Sequence, residues 1–182
     1  ESIAVLTFTT LFQNLRFGHA SALSVIVFGT AFAFPLAAIR VLGADSLSVT
    51  VSGTATVSNT GHAIQTGSDA DILNNGLITS SGADGINAGS DSTGNGNNDI
   101  TNSGTITADD QGIDVANNNT VSNGSSGIIN SDMAGIEVGS NNLVINSGDI
   151  NAGDGASTLG QEDDGISGVG NNTIINAADA TI

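Results

Sequence analysis

Ile100-Thr101-Asn102-Ser103-Gly104-Thr105-Ile106 is the stretch on which the fold turns, because the chain keeps rewriting it. Close copies are Val144-Ile145-Asn146-Ser147-Gly148-Asp149-Ile150 and Ile72-Leu73-Asn74-Asn75-Gly76-Leu77-Ile78. Looser ones begin at Val57-Ser58-Asn59, Val121-Ser122-Asn123 and Ile174-Ile175-Asn176. A second phrase, glycine then isoleucine, follows at Gly85-Ile86, Gly112-Ile113, Gly135-Ile136 and Gly165-Ile166. Internal repetition of this kind marks a supersecondary unit that must stack on its neighbours to bury its apolar side.

The asparagines at 74, 102, 123, 146 and 176 are 28, 21, 23 and 30 residues apart. The short steps set the unit at a little over twenty residues. The long ones carry insertions, read as Gly89 to Asp99 and Gly153 to Asp164, both rich in Gly, Asp, Asn and Ser. Within a unit the apolar residues come in three small groups, such as Ile100, Ile106, then Ile113 with Val115. Asn, Gly and Asp between them leave no room for a helix of ordinary length, and β-branched residues suit short strands. Three strands and three corners make one coil, so Asp45 to Ile182 is expected to be a parallel β-solenoid. Like residues then stack at about 4.8 Å, placing Ile100, Val121, Val144 and Ile174 in one internal ladder. The recurrent asparagine is expected at a corner, bonded to the coils above and below and in a left-handed backbone.

The Asn102-to-Ile106 phrase, the Gly-Ile-x-Val phrases at 112–115 and 135–138, and the Asn-rich, Cys-free, Lys-free composition resemble the passenger region of Gram-negative autotransporter adhesins. The resemblance covers roughly residues 45–182 and is one of repeat style. It implies a right-handed parallel β-helix, secreted or displayed at the outer membrane, non-enzymatic, serving as a stalk or adhesive surface for a protein or glycan ligand on a host or cell surface. That family carries a C-terminal membrane barrel, and no segment here resembles one. Ala178 to Ile182 restarts the strand phrase, so the end reads as an interior cut whose open edge is prone to self-association.

Residues 1–44 differ in composition. All six Phe, the one Pro and both Arg fall there. Ala22 to Phe34 is strongly apolar, Arg16 and His19 precede it, Pro35 breaks it, and Ala37-Ala38 or Gly43-Ala44 offers a small-residue cleavage site. These are the parts of a secretory signal peptide, with a helical core at 22–34. An uncleaved membrane anchor is the second reading, since the uncharged run is just long enough to span a bilayer. A buried core helix is the third. Residues 1–14 fit no targeting pattern, and Leu15 is near the expected start.

From Asp45 onward there is no Lys or Arg, and every carboxylate except Glu1 lies there, a formal charge of −17. Nucleic acid is thereby excluded as a partner, for want of basic residues to hold phosphates. So acidic and aromatic-poor a composition also suits disorder, but the regular Ile and Val ladder argues against it. Paired acids at Asp109-Asp110 and Glu162-Asp163-Asp164 allow the alternative of a carbohydrate-active β-helix, a polysaccharide lyase or hydrolase. Against it, no Arg, Lys, Phe, Tyr or Trp follows Arg40, so the acids are expected to be solvated corners. His62, alone in this region, is expected to be structural. No cofactor is required. Calcium is the one metal considered: Asp91, Thr93, Asn95, Asn97 and Asp99 alternate as in an EF-hand loop, with Gly96 sixth. Thr93 at the third position and Asn102 at the twelfth depart from that pattern. An ice-binding face is excluded by register. Thr54-Ala55-Thr56 and Thr105-Ile106-Thr107 have the form, but Leu77 with Thr79, Ile128 with Asn130, and Asp149 with Asn151 interrupt it.

Overall fold

A computed structural model describes residues 47–89, 96–153 and 164–182. All of them belong to the unit Asp45–Ile182. The expected helix at 22–34 and its flanks lie outside the described residues.

The described chain is all-β. Coil one holds β1 (Leu47–Val51), β2 (Thr56–Asn59) and β3 (Ile64–Thr66). Coil two holds β4 (Ala70–Asn74), β5 (Leu77–Ser80) and β6 (Ile86–Ala88), and coil three β7 (Asp99–Asn102), β8 (Thr105–Ala108) and β9 (Ile113–Val115). Coil four holds β10 (Thr120–Asn123), β11 (Ile128–Ser131) and β12 (Ile136–Val138), and coil five β13 (Leu143–Asn146), β14 (Asp149–Ala152) and β15 (Ile166–Gly168). A sixth begins with β16 (Thr173–Asn176) and a bridge from Thr181 to Asp149. Every pairing is parallel. The first sheet runs β1-β4-β7-β10-β13-β16, the second β2-β5-β8-β11-β14, the third β3-β6-β9-β12-β15.

Each sheet contributes an internal column. In the first, Val49, Ile72, Ile100, Val121, Val144 and Ile174 are successive partners. In the second, Val57, Ile78, Ile106, Ile129 and Ile150 stack, and in the third Ile64, Ile86, Ile113, Ile136 and Ile166. The middle members are fully buried, and such burial contributes about 1.5–3 kcal/mol per side chain. Ile174 keeps the expected register but is 48% exposed, because no coil lies over β16 among the described residues.

Between the first two sheets the expected asparagine ladder forms. Nδ2 of Asn74 donates to Oδ1 of Asn102 at 2.7 Å, Asn102 to Asn123 at 2.8 Å, Asn123 to Asn146 at 2.9 Å and Asn146 to Asn176 at 2.8 Å. The second amide proton also finds carbonyls: Asn74 reaches Thr105 O and Asn146 reaches Thr181 O. Four of the five side chains are wholly buried, and this pairing is what makes buried amides tolerable.

The structure corrects the sequence reading at five points. The ladder asparagines are not left-handed; positive φ falls instead on Asp69, Asn97, Asn118 and Asn141. The copy placed at Val57-Ser58-Asn59 is not a first-sheet strand, since those residues pair with Ile78, Thr79 and Ser80 of the second sheet. The coil-one counterpart of Asn74 is Val51, so the ladder starts one coil later. The insertion read as Gly89 to Asp99 ends by Gly96, whose N–H already bonds to Asn117 O in the next coil; Gly153 and Asp164 likewise belong to coils, bonded to Ser131 and Gly135. Finally, Leu77 stands opposite Thr56 and Thr79 opposite Ser58, so Thr54 is outside the outward row of the second sheet.

A second asparagine ladder runs between the third and first sheets. Oδ1 of Asn98 accepts the N–H of Ala70 at 2.8 Å. Oδ1 of Asn119, Asn142 and Asn172 in turn accepts both the backbone N–H and Nδ2 of the preceding member, the N–H bonds being 2.8, 2.7 and 2.8 Å long. The doublets Asn97-Asn98, Asn118-Asn119 and Asn141-Asn142 explain themselves here. In each the first residue takes the left-handed bend, which asparagine tolerates, and the second turns inward.

Candidate functional site

Titratable side chains converge at the corner between the second and third sheets. His62 precedes β3 in coil one, Asp84 precedes β6 in coil two, and Asp110 follows β8 in coil three. Backbone bonds from Ala63 N–H to Asp84 O and from Gly85 N–H to Gln111 O hold the three turns in register. His62 Nδ1 lies 3.0 Å from Asp84 Oδ2, with the imidazole 33% and the carboxylate 4% exposed. The approach is close, yet Nδ1 makes no well-aligned hydrogen bond. The distance therefore describes proximity of the two side chains rather than an oriented imidazole of the kind that activates a nucleophile.

Asp84 is instead held by neutral donors. Asn87 Nδ2 donates to Oδ2 at 2.8 Å, and the Gln111 N–H reaches Oδ1 at 3.3 Å. Asn87 Nδ2 also reaches Asp114 Oδ2, and Gln111 Nε2 donates to Glu137 Oε2 at 2.9 Å, so the amides spread along the acidic edge of the third sheet. Asp110 is the corner's strained member. Oδ1 is buried without a hydrogen-bond partner. Burial pushes its carboxyl above the usual range and the charge of Asp84 adds to this, while His62 and the Gln111 N–H oppose it. The expectation that Asp109-Asp110 forms a solvated corner thus holds for Asp109, which is exposed, and fails for Asp110.

The second feature is an open concavity of about 420 Å³ on the outer face of the second sheet, among Thr107, Asp109, Asn130, Asp132 and Asn151. Thr107, Asn130 and Asn151 are successive partners in β8, β11 and β14, and Asn151 Nδ2 donates to Asn130 Oδ1 at 3.0 Å. The result is a hydrophilic shelf of hydroxyl, amide and carboxylate groups. It presents hydrogen-bonding capacity to solvent at the spacing of the coils.

Of the calcium candidates, Asp91, Thr93 and Asn95 lie outside the described residues. Asn97 has φ 47° and its Nδ2 donates to Asp69 Oδ1 at 3.3 Å, while Asp99 opens β7 with an exposed side chain. Among the described residues no group of three or more His, Asp or Glu is arranged to hold a metal ion. Glu162 and Asp163 also lie outside the described residues, and Asp164 is exposed. Sequence reasoning missed the joining of His62, Asp84 and Asp110, because the corner assembles only once each coil's length is known.

Comparison with protein-family models, with curated proteins and with solved structures gives no match.

Proposed function

We propose that the chain is a non-enzymatic, right-handed parallel β-solenoid, exported through its N-terminal apolar segment, and that it serves as the stalk or adhesive surface of an autotransporter-type protein at the outer membrane. One observation carries this reading: three apolar columns run through the described coils and two asparagine ladders run along the axis from coil two onward. A fold invested this way builds length and an outward surface of repeating rows. The right hand agrees with the general preference of parallel crossovers. The outer shelf at Thr107, Asn130 and Asn151 supports a ligand met by hydrogen bonding, whether protein or glycan.

The alternative, a carbohydrate-active β-helix, would draw on Asp109 and Asp132 beside that shelf. One experiment separates the two. The purified chain is coupled to beads and offered to cell surfaces and extracellular matrix, and in parallel incubated with neutral and acidic polysaccharides. Saturable adhesion without release of reducing ends or unsaturated products is the expected outcome. Turnover of any polysaccharide that disappears in D109N or D132N would replace the adhesive reading with the enzymatic one.

A further inference from the structure

The corner between the first and second sheets is closed in successive coils by a glycine that has no room for a side chain. A Cβ on Gly76 would fall on the carbonyl oxygens of Ala55 and Ser52, one on Gly104 on that of Gly76, and one on Gly148 on that of Gly127. The residue before the glycine is Ser103, Ser126 or Ser147 in coils three to five. Coil two alone places an asparagine there, Asn75, and its side chain is exposed. Packing therefore forces an Asn-Gly pair onto the surface. Such a pair is chemically labile, because glycine leaves its own nitrogen unshielded from the preceding side-chain amide.

We propose that Asn75 is a site of spontaneous deamidation in the folded protein, and that the reaction loosens the joint between coils one and two. The Gly76 nitrogen, its proton given up to water, attacks Asn75 Cγ. The new N–Cγ bond forms as the Cγ–Nδ2 bond breaks, and ammonia leaves with a proton supplied by water. A second water opens the cyclic imide at either carbonyl, giving aspartate or isoaspartate. No enzyme, oxidant or reductant is needed.

The other described Asn-Gly pair, Asn123-Gly124, shows why the site is specific. Asn123 is wholly buried, with its Nδ2 given to Asn146 and its Oδ1 receiving Asn102, and the Gly124 N–H is committed to the backbone carbonyl of Asn102 at 2.7 Å. At Asn75 the reacting amide is free in solvent, and the Gly76 N–H is restrained by one side-chain acceptor, Asn74 Oδ1, at 3.0 Å. The consequence is local. Asn75 N–H bonds to Val51 O at 2.8 Å and Leu77 N–H to Ala55 O at 3.0 Å, so both ends of the altered peptide tie coil two to coil one. Isoaspartate inserts a methylene into the main chain between those two bonds.

The test is to age the full chain at mildly alkaline pH, native and in denaturant, and to locate the amide-to-acid mass gain by fragmentation mass spectrometry. Natively, Asn75 should react at least about tenfold faster than Asn123, and in denaturant the two rates should converge, since only the fold distinguishes them. Aged protein should show faster amide hydrogen exchange across residues 47–59, and the N75S chain, which adopts the serine of the later coils, should neither gain the mass at this corner nor age in exchange rate. Equal native rates at Asn75 and Asn123, or an N75S chain that ages like the parent, would overturn the proposal.

Discussion

Asn102 Nδ2 donates to Asn123 Oδ1 at 2.8 Å, and both side chains are completely shielded from water. Truncating Asn102 to Ala strips Asn74 Nδ2 of its side-chain acceptor and Asn123 Oδ1 of its donor within the same dry corner. Leaving a buried polar group unpaired costs about 1–3 kcal/mol, so N102A should lower the thermal midpoint clearly, whereas the surface change N130A should leave it almost unmoved. Thermal unfolding followed by circular dichroism reads the difference. Equal midpoints for the two variants would remove the ladder from the account of stability.

Asp110 gives a pH dependence whose sign follows from the cause of its shift. Its folded-state carboxyl is raised by burial and by Asp84, so the folded protein takes up its proton more readily than the unfolded chain. Its favourable contribution is therefore complete below the unfolded-state range and is lost as pH rises through the folded value. D110N should melt higher than the parent at neutral pH, with the gap closing on acidification. Midpoints measured from pH 7 down to the ordinary carboxylate range check this, and a gap that widens as pH falls contradicts it.

Gly112 faces Ile129 of the next coil. An added Cβ would fall on Ile129 Cγ2 and lie 2.6 Å from the Gly135 carbonyl oxygen. G112A should destabilise by about 1–3 kcal/mol through overpacking, and combining it with I129L, which has no branch at Cβ, should recover part of that loss by removing the methyl it strikes. A double variant no more stable than G112A alone would assign the cost to the backbone carbonyl.

Net charge of −16, with no Lys or Arg in the coils, makes the solenoid its own repellent. Raising ionic strength from about 0.01 to 0.15 M shortens the screening length from roughly 30 to 8 Å, so the thermal midpoint should rise with neutral salt. A midpoint that is flat or falls over this range would mean that the carboxylates are already compensated.

The solenoid was legible because its residues announce their position twice. The Asn-centred phrase marks the first sheet and the Gly-Ile phrase the third, and each recurs once per coil from coil two to coil five. The misplacement of Val57-Ser58-Asn59 shows the limit. It is spelled like Val121-Ser122-Asn123, yet it lies in the second sheet, because three residues of alternating strand fit any sheet of a coil and only hydrogen bonding to Leu77–Ser80 decides which. The second ladder was written as Asn-Asn doublets, but a doublet reads equally well as a turn, and its inward member is revealed only by the partner in the neighbouring coil. The His62, Asp84 and Asp110 corner was hidden for the same reason. Its geometry depends on where each turn sits, which composition does not encode.

The first asparagine ladder also points one way. Its amide hydrogens face the later coil and its carbonyl oxygens receive from the earlier one, from Asn74 through to Asn176, whereas in the second ladder Asn142 and Asn172 also give Nδ2 back to Ala116 O and Gly139 O of the preceding coil. Backbone bonds between coils alternate in direction and largely cancel, as in Asn75 N–H to Val51 O against Ala63 N–H to Asp84 O. The side-chain amides of the first ladder do not cancel. Their dipoles add head to tail and polarise one another, so the rod carries an electrical direction along its axis, positive toward the later coils. A cylinder with almost no cations thereby acquires, from uncharged residues alone, one end more hospitable to anions than the other.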